Sequence, residues 1–178
     1  MVDIILKHVF DRKKKDEKST MDIWEKLYMA AKEQYHPQEV SSFVYAHHVV
    51  CALETQSGDI FTGFCIESCS GVMNLCAERV AAFNMYVNSG QTVVKRLIAF
   101  RDKAPFGEGS GMPCGACREF FMQLAEENRD MEIMVDFEKR ETIRLKELMP
   151  KWWGEERYEN CMKGKLNKGS YAYQIGMR

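Results

Sequence analysis

Neither positive nor negative charge predominates in this chain, and no apolar run is long enough to cross a membrane. Its 178 residues include 25 Lys and Arg and 26 Asp and Glu, a net charge of -1, which favours neither nucleic acid nor a membrane surface as a partner. A spanning helix needs about 18 consecutive apolar residues, and no run approaches that length. The opening MVDIILK is a poor export signal because an acid comes early and the apolar run is short. We therefore expect a cytoplasmic protein.

A secreted disulfide framework is also poorly supported. The chain has seven cysteines, an odd number, and without an export signal clustered cysteines favour metal binding or catalysis. With 46% apolar and 29% charged residues, the composition is that of an ordinary globular protein. We predict one domain at residues 21–155, preceded by a charged arm at 1–20 and followed by a tail at 156–178.

Apolar spacing and turn residues predict helices that alternate with strands. The predicted order is a helix at 22–34, a hairpin of strands at 43–53 and 60–65, a helix at 76–87, a strand at 93–100, a helix at 117–126 and strands at 131–137 and 142–145. The strand–helix–strand crossover requires parallel neighbouring strands. We therefore predict an α/β protein with a mixed sheet and helices on both of its faces.

Two cysteine motifs carry the predicted chemistry. Cys114 and Cys117 lie three residues apart where a helix opens, so both sulfurs are on one side of its first turn. The positive end of a helix favours thiolate, the form that binds zinc. Cys76 opens another helix, and three converging thiolates would leave the fourth position of a catalytic zinc site open. Glu78 reaches that site only if Cys76 lies at the helix boundary, because residues i and i+2 of a regular helix face different ways.

Other interpretations of these residues remain open. Cys65 or Cys69 would close the site into a structural one by supplying a fourth sulfur. The spacing of Cys114 and Cys117 is also that of a thioredoxin-like redox pair, although such a pair gives Cys76 and Glu78 no role. The glycine-rich loop at 107–111 lacks the Gly-Lys-Ser/Thr ending of a phosphate-binding loop.

The paired motifs resemble those of the zinc-dependent cytidine deaminase family, whose signature is His or Cys, any residue, Glu, and later Pro-Cys-x-x-Cys. The chain has CAE at 76–78 and PCGAC at 113–117, and a cysteine as first ligand resembles the free-nucleoside branch. The resemblance covers roughly residues 21–155 and implies a three-layer α/β/α sandwich. It implies that Cys76, Cys114 and Cys117 hold Zn²⁺, which activates water. Glu78 then moves protons as a cytosine nucleoside becomes the uridine product and ammonia, a reaction of pyrimidine salvage.

The residues expected to contact substrate depart from the family pattern. Cys65-Ile66-Glu67 stands where the family has Asn-x-Glu for the ribose hydroxyls. His47 aligns with the aromatic residue that packs on the base; an imidazole there can stack or hydrogen-bond, or it can be buried. Ala77, between Cys76 and Glu78, is also assigned to the substrate pocket. These departures point toward divergent relatives such as blasticidin S deaminase-like proteins.

Residues outside the pocket complete the resemblance. Trp153, or Trp152, matches a family aromatic that enters a neighbouring subunit's site, which predicts a homodimer or homotetramer. Arg79 and Arg118 each follow a ligand motif, and we predict that they donate to the thiolates and restore the Lewis acidity of the metal. A surface or interface ion pair is the alternative for both arginines.

Two further functions are compatible with these residues. The same zinc chemistry could deaminate another amino-heterocycle, such as blasticidin S, a purine or a pterin-like ring. Alternatively, the domain binds zinc without catalysis and acts through interactions, although an intact Glu78 argues against that. Nucleic acid is not expected, because no stripe of aromatic and basic residues is present.

Overall fold

The computed structural model describes residues 21–162, with side chains described as far as residue 159. The predicted arm at 1–20 and the tail beyond residue 162 lie outside the described residues. The elements are α1 (Ile23–Lys32), β1 (Gln38–Ser41), β2 (Val44–Thr55), β3 (Ile60–Ser68), α2 (Ala77–Ser89), β4 (Val94–Phe100), α3 (Gly115–Leu124), β5 (Glu132–Asp136), β6 (Glu141–Arg144), α4 (Leu145–Leu148) and α5 (Glu155–Met162). No helix within residues 21–162 is long and apolar enough to cross a membrane.

The strands form one mixed sheet in which β2 is central. One edge of β2 pairs antiparallel with β3, while the other edge is divided between β1, opposite residues 44–46, and β4, opposite residues 50–55. β4 and β5 are parallel, and β6 pairs antiparallel with β5. The parallel β4–α3–β5 crossover confirms the predicted topology. The sequence did not predict β1, because its four residues, QEVS, are all exposed and show no apolar alternation.

Helices cover both faces of the sheet, as predicted. Along the strands, alternate residues point to opposite faces, so Ile98 contributes to the core under α1 while Leu97 contributes to the core under α2 and α3. In α1, Trp24, Leu27 and Ala31 are buried at helical spacing. The sandwich has three layers, helix, sheet and helix.

Cap residues fix where the helices begin and end. Asp22 caps α1: its side chain accepts a hydrogen bond from the backbone N–H of Glu25, and the Glu25 side chain accepts one from the backbone N–H of Asp22. α2 ends at Gly90, which adopts the left-handed conformation (φ 70°) that glycine accepts at little cost. α5 crosses the predicted boundary between residues 155 and 156, and Tyr158 packs against the core beneath α3.

Candidate metal centre and substrate cavity

Three cysteines converge where α2 and α3 begin. Cys76 is the N-cap of α2 and Cys114 the N-cap of α3, both in extended conformation, and Cys117 lies in the first turn of α3. The Sγ atoms of Cys76 and Cys117 each lie 3.6 Å from that of Cys114, and all three lie within 4.8 Å of one another. The chain segments around 76 and 114 therefore present three sulfurs to one point.

The pKa values of the three thiols are shifted because the groups are buried and lie close to one another. Burial, reinforced by the nearby charge of Glu78, raises the pKa of Cys117 far above its ordinary value. Burial and the neighbouring Cys114 also raise the pKa of Cys76. Burial acts in the same direction on Cys114, but hydrogen bonds from the Cys117 backbone and the adjacent thiols outweigh it, so the pKa of Cys114 is lowered. A metal cation bound in place of the thiol protons would stabilise the thiolate forms, which burial disfavours.

Arg79 provides a second indication that this centre fits a metal. Its Nε is buried and has no hydrogen-bond partner among the residues that the structure describes, while its Nη2 donates to the backbone oxygen of Asn74 over 3.2 Å. Burial lowers the pKa of Arg79, but the thiols of Cys76 and Cys117 raise it by more. A guanidinium beside three sulfurs matches a set of thiolates better than a set of neutral thiols. The donors present thus fit Zn²⁺.

Arg118 has a different contact from the one predicted. Its Nε donates to the backbone oxygen of Pro113 over 2.8 Å. The side chain therefore braces the turn that carries Cys114, and the structure shows no hydrogen bond from it to a thiol within residues 21–159.

Glu78 lies beside the cysteines in the first turn of α2. Its side chain is buried, and burial raises its pKa despite opposing effects from its own backbone N–H, Cys117 and Arg79. Because Cys76 precedes the regular turns of α2, residues 76 and 78 both border the same cavity. This is the boundary geometry that the sequence analysis required.

The cavity has a volume of about 680 Å³. Cys76, Ala77, Glu78 and Cys114 form its base, and Cys65, Glu67 and Val49 form the wall on the β2–β3 side. The facing wall is the segment from 99 to 112. A cavity of this size suits a small organic ligand.

The segment facing β3 is anchored to the sheet. Gly107 donates its backbone N–H to Val135, and Phe137 donates to Pro105. A Cβ on Gly111 would lie 2.3 Å from the backbone oxygen of Ala99, so only glycine fits there without movement. Phe106 lines the cavity with 61% of its surface exposed. The sequence analysis treated this segment as a loop and assigned none of its residues to the site.

His47 is not brought to the cavity. Between Ala46 and Val50 the pairing of β2 with β3 shifts, so residues 47–49 stand opposite Cys65 alone. In this β-bulge His47 adopts φ 63°, and its ring lies between Phe64, 3.5 Å away, and His36, 3.7 Å away. Because a bulge re-aims side chains, the expected base contact moves away from the ligand. Val49 lines the cavity instead.

His48 is a site residue that sequence reasoning missed. Its ring bridges Cys65 and Glu67, with Nδ1 3.2 Å from Cys65 Sγ and Nε2 3.1 Å from Glu67 Oε1. The adjacent histidines at 47 and 48 were the available signal, but only the strand register decides which of them turns toward β3.

The tryptophan pair lies away from the cavity lining. Trp152 is buried and Trp153 is 61% exposed, and the indole N–H of each donates to Glu119 over 2.9 Å. Within this chain Trp153 contacts α3 and leaves most of its surface open.

No model of a known protein family matches the chain. It is 32% identical over 90 residues to a probable cytidine deaminase of Dictyostelium discoideum, covering 50% of this chain and 58% of that protein. It is 32% identical over 83 residues to the blasticidin-S deaminase of Bacillus cereus, covering 44% of this chain and 59% of that protein. The matches thus span under two thirds of these two relatives.

Two further comparisons extend the match. A cytidine deaminase of Mycoplasma pneumoniae is 30% identical over 99 residues, which cover 53% of this chain and 71% of that protein. The crystal structure of cytidine deaminase from Mycobacterium tuberculosis aligns with a TM-score of 0.55 at 25% identity, covering 75% of this chain and 99% of that one. The shared sequence and the shared fold show that this chain belongs to the cytidine deaminase family.

Proposed function

We propose that this chain is a zinc-dependent aminohydrolase that deaminates a cytosine nucleoside or an analogue of one. The observation that carries the proposal is the meeting of three Sγ atoms, all within 4.8 Å of one another, with the buried Glu78 at the base of a single cavity. The relatives that the chain matches are named as cytidine deaminases and a blasticidin-S deaminase, and these names support the proposal.

The three cysteines, Glu78 and Arg79 each have a defined task in this proposal. Cys76, Cys114 and Cys117 would hold Zn²⁺, whose Lewis acidity makes water a competent nucleophile near neutral pH. Glu78 would accept the two protons of the water in turn on a carboxylate oxygen, delivering the first to the ring nitrogen beside the attacked carbon and the second to the departing amine. Water adds oxygen to the ring, and ammonia leaves. Arg79 donates toward the sulfurs and offsets their negative charge.

The cavity walls support a small ring ligand. Ala77 and Glu67 line it, and Glu67 offers a carboxylate to hydroxyl groups of a sugar. Cys65 stands where the family has asparagine, so the sugar contacts differ from those of ordinary cytidine deaminases. Modified cytosine nucleosides are the second candidate substrates, because one of the relatives is a blasticidin-S deaminase. Glu78 lines the cavity in a buried position, which argues against a silent zinc-binding domain.

We also propose that the protein forms a homodimer or homotetramer. Phe83, Tyr86 and Val87 of α2 and Trp153 all expose large apolar surface, which a second copy would cover. Light scattering during gel filtration measures the oligomer directly. A monomer at micromolar concentration contradicts this part of the proposal.

A substrate panel tests the enzymatic proposal. Zinc is measured in the purified protein, and ammonia release is followed with cytidine, deoxycytidine, blasticidin S, adenosine and a pterin. We expect one zinc per chain and turnover of at least one cytosine compound. Glu78→Gln should keep zinc and fold but lower turnover by about 10² to 10⁴. A zinc-loaded protein that releases no ammonia from any cytosine compound refutes the proposal.

A further inference from the structure

The β3 wall of the cavity brings three side chains together, Cys65, His48 and Glu67. The sulfur of Cys65 lies 3.2 Å from Nδ1 and 3.6 Å from Nε2 of His48, and His48 Nε2 lies 3.1 Å from Oε1 of Glu67. Cys65 and Glu67 both line the cavity. Cys65 is buried, whereas 54% of the Glu67 side chain is exposed.

The positions of the protons follow from what each group can donate. An ionised carboxylate only accepts, so Nε2 of His48 donates to Glu67. Since the Cys65 sulfur lies at similar distances from Nδ1 and Nε2, it packs against the imidazole ring and is not in line with either nitrogen. Burial raises the pKa of the Cys65 thiol by more than the backbone N–H of Val49 lowers it. The proton therefore stays on the sulfur of Cys65.

The sulfur also accepts a hydrogen bond within the protein. The backbone N–H of Val49 lies 3.2 Å from Cys65 Sγ and donates to it. Cys65 is thus held by the backbone of Val49 and by the ring of His48. Glu67 uses one oxygen for His48 and keeps the other for a ligand.

The β-bulge and an aromatic neighbour hold His48 in this role. Residues 47–49 stand opposite Cys65 alone, which brings His48 beside Cys65 and Glu67 while His47 turns away. Tyr45 stacks on the His48 ring at 4.9 Å with an interplanar angle of 29°. The imidazole is therefore held by the ring of Tyr45, by the sulfur of Cys65 and by the carboxylate of Glu67 at Nε2.

We propose that His48 is a positioning residue that sets ligand specificity. By packing against Cys65 and orienting Glu67, it leaves the β3 wall with one carboxylate acceptor, which selects ligands that present hydroxyl or ammonium donors there. Ligands that present only acceptors at this wall are disfavoured, because they leave the carboxylate without a partner. The inference rests on the proposed function, since a cytosine nucleoside serves as the probe.

Binding by a turnover-deficient protein tests the proposal. In zinc-loaded Glu78→Gln, calorimetry gives dissociation constants for cytidine, 2′,3′-dideoxycytidine and 2′,3′-di-O-methylcytidine. We expect cytidine to bind about tenfold more tightly than the dideoxy compound, as one hydrogen bond to a charged group allows, and the di-O-methyl compound to bind most weakly.

Variants separate the role of His48 from a general structural one. His48→Ala should reduce the preference for cytidine to about twofold, because Glu67 is no longer oriented. His48→Gln should restore part of it, since its amide N–H can donate to Glu67. Cys65→Ser leaves the contact between His48 and Glu67 in place and should lower the preference less than His48→Ala does. Met29→Ala, a change at an exposed residue of α1 that does not line the cavity, is the control and should leave the preference unchanged.

Two results overturn the inference while the proposed function stands. One is an undiminished preference in His48→Ala. The other is a preference lost in Cys65→Ser with His48 still paired to Glu67, which would mean that residue 65 contacts the ligand directly.

Failure of the proposed function has a different signature, in which no cytosine compound binds and no ammonia is released. The inference is then decided by ¹⁵N spectra of the histidine side chains without ligand. Those spectra should show a proton on Nε2 of His48 whose signal is altered by Glu67→Gln. An Nε2 that carries no proton overturns it whatever the ligand.

Discussion

Gly63 of β3 packs directly against the backbone of α2 at Ala81. A Cβ at Gly63 would lie 2.3 Å from the backbone nitrogen of Ala81 and 2.5 Å from the backbone oxygen of Ala77. No side chain can move aside there, since both atoms belong to the helix backbone. The first turn of α2 carries Glu78, so this contact sets the distance between Glu78, the proposed proton carrier, and the sheet.

Gly63→Ala should therefore destabilise the protein strongly. Overpacking against backbone costs typically 1–3 kcal/mol and sometimes more, and we expect about 3 kcal/mol loss in the free energy of unfolding. Urea denaturation measures it. Gly71→Ala is the matched control, since nothing lies within 4 Å of a Cβ at that position, and its effect should stay within about 0.5 kcal/mol. Equal stability of the two variants contradicts the packing argument.

Removal of one proposed zinc ligand should lower both metal content and thermal stability. Cys117 is buried between the sheet and α3, and we expect Cys117→Ser to retain well under one zinc per chain and to melt at a lower temperature. A chelator should lower the melting temperature of the unaltered protein but hardly affect the variant. Cys69→Ser, at an exposed free cysteine, is the control and should keep its zinc. Equal zinc in both variants would exclude Cys117 as a ligand.

The cap of α1 should make stability depend on pH at the acidic end. Burial raises the pKa of Asp22, but the backbone N–H of Glu25 and the Arg140 guanidinium outweigh it and hold the pKa below its ordinary value of 3.8. A lowered folded-state pKa means that the stabilisation is complete above the unfolded-state value and is lost as pH falls through the folded-state value. Asp22→Ala should therefore cost about 1 kcal/mol at pH 7.

Asp22→Asn separates the cap from the charge. Asparagine still caps the helix but cannot pair with Arg140, whose Nη2 lies 2.8 Å from Asp22 Oδ2. The variant should unfold with a weaker dependence on pH below pH 4 than the unaltered protein shows. The same slope in both proteins rules out Asp22 as the titrating group.

Phe106 should contribute to ligand affinity more than to stability. It lines the cavity, 61% of its surface is exposed, and its segment is anchored to β5 through an isolated bridge to Asp136. Loss of an aromatic contact should weaken binding of a ring ligand about two- to tenfold in Phe106→Ala, with an unchanged unfolding midpoint. Phe43→Ala removes an equally exposed ring outside this cavity and should leave affinity unaltered. Titration of the ligand against both variants checks the difference.

Local signals in the sequence predicted most of the fold. Stretches rich in β-branched and aromatic residues predicted β2 and β4, and turn residues placed the end of α2 near residue 87, close to its end at Ser89. The proposed metal ligands were named because the spacing at 114–117 and the helix starts are local features. β1 was missed, since its exposed residues carry no pattern.

The wall of the cavity was less predictable for a physical reason. Which side chain of β2 faces Cys65 depends on the register of β2 against β3, and a one-residue shift exchanges the faces. The bulge at 47–49 makes that shift, so His48 and not His47 meets Glu67. Phe106 was missed because its position depends on backbone contacts with residues 135–137, about 30 positions later in the chain.

The bulge in β2 also bears on how this cavity can evolve. Residues 44–46 and 50–55 each keep their own pairing on both sides of it, so the strand tolerates a change of length between them without losing the sheet. An insertion or deletion at 47–49 would rotate a different side chain toward Cys65 and Glu67, while Cys76, Cys114 and Cys117 stay where their helices hold them. The proposed specificity wall and the proposed metal centre thereby lie in separate parts of the chain, so the first can change in sequence without a change in the second.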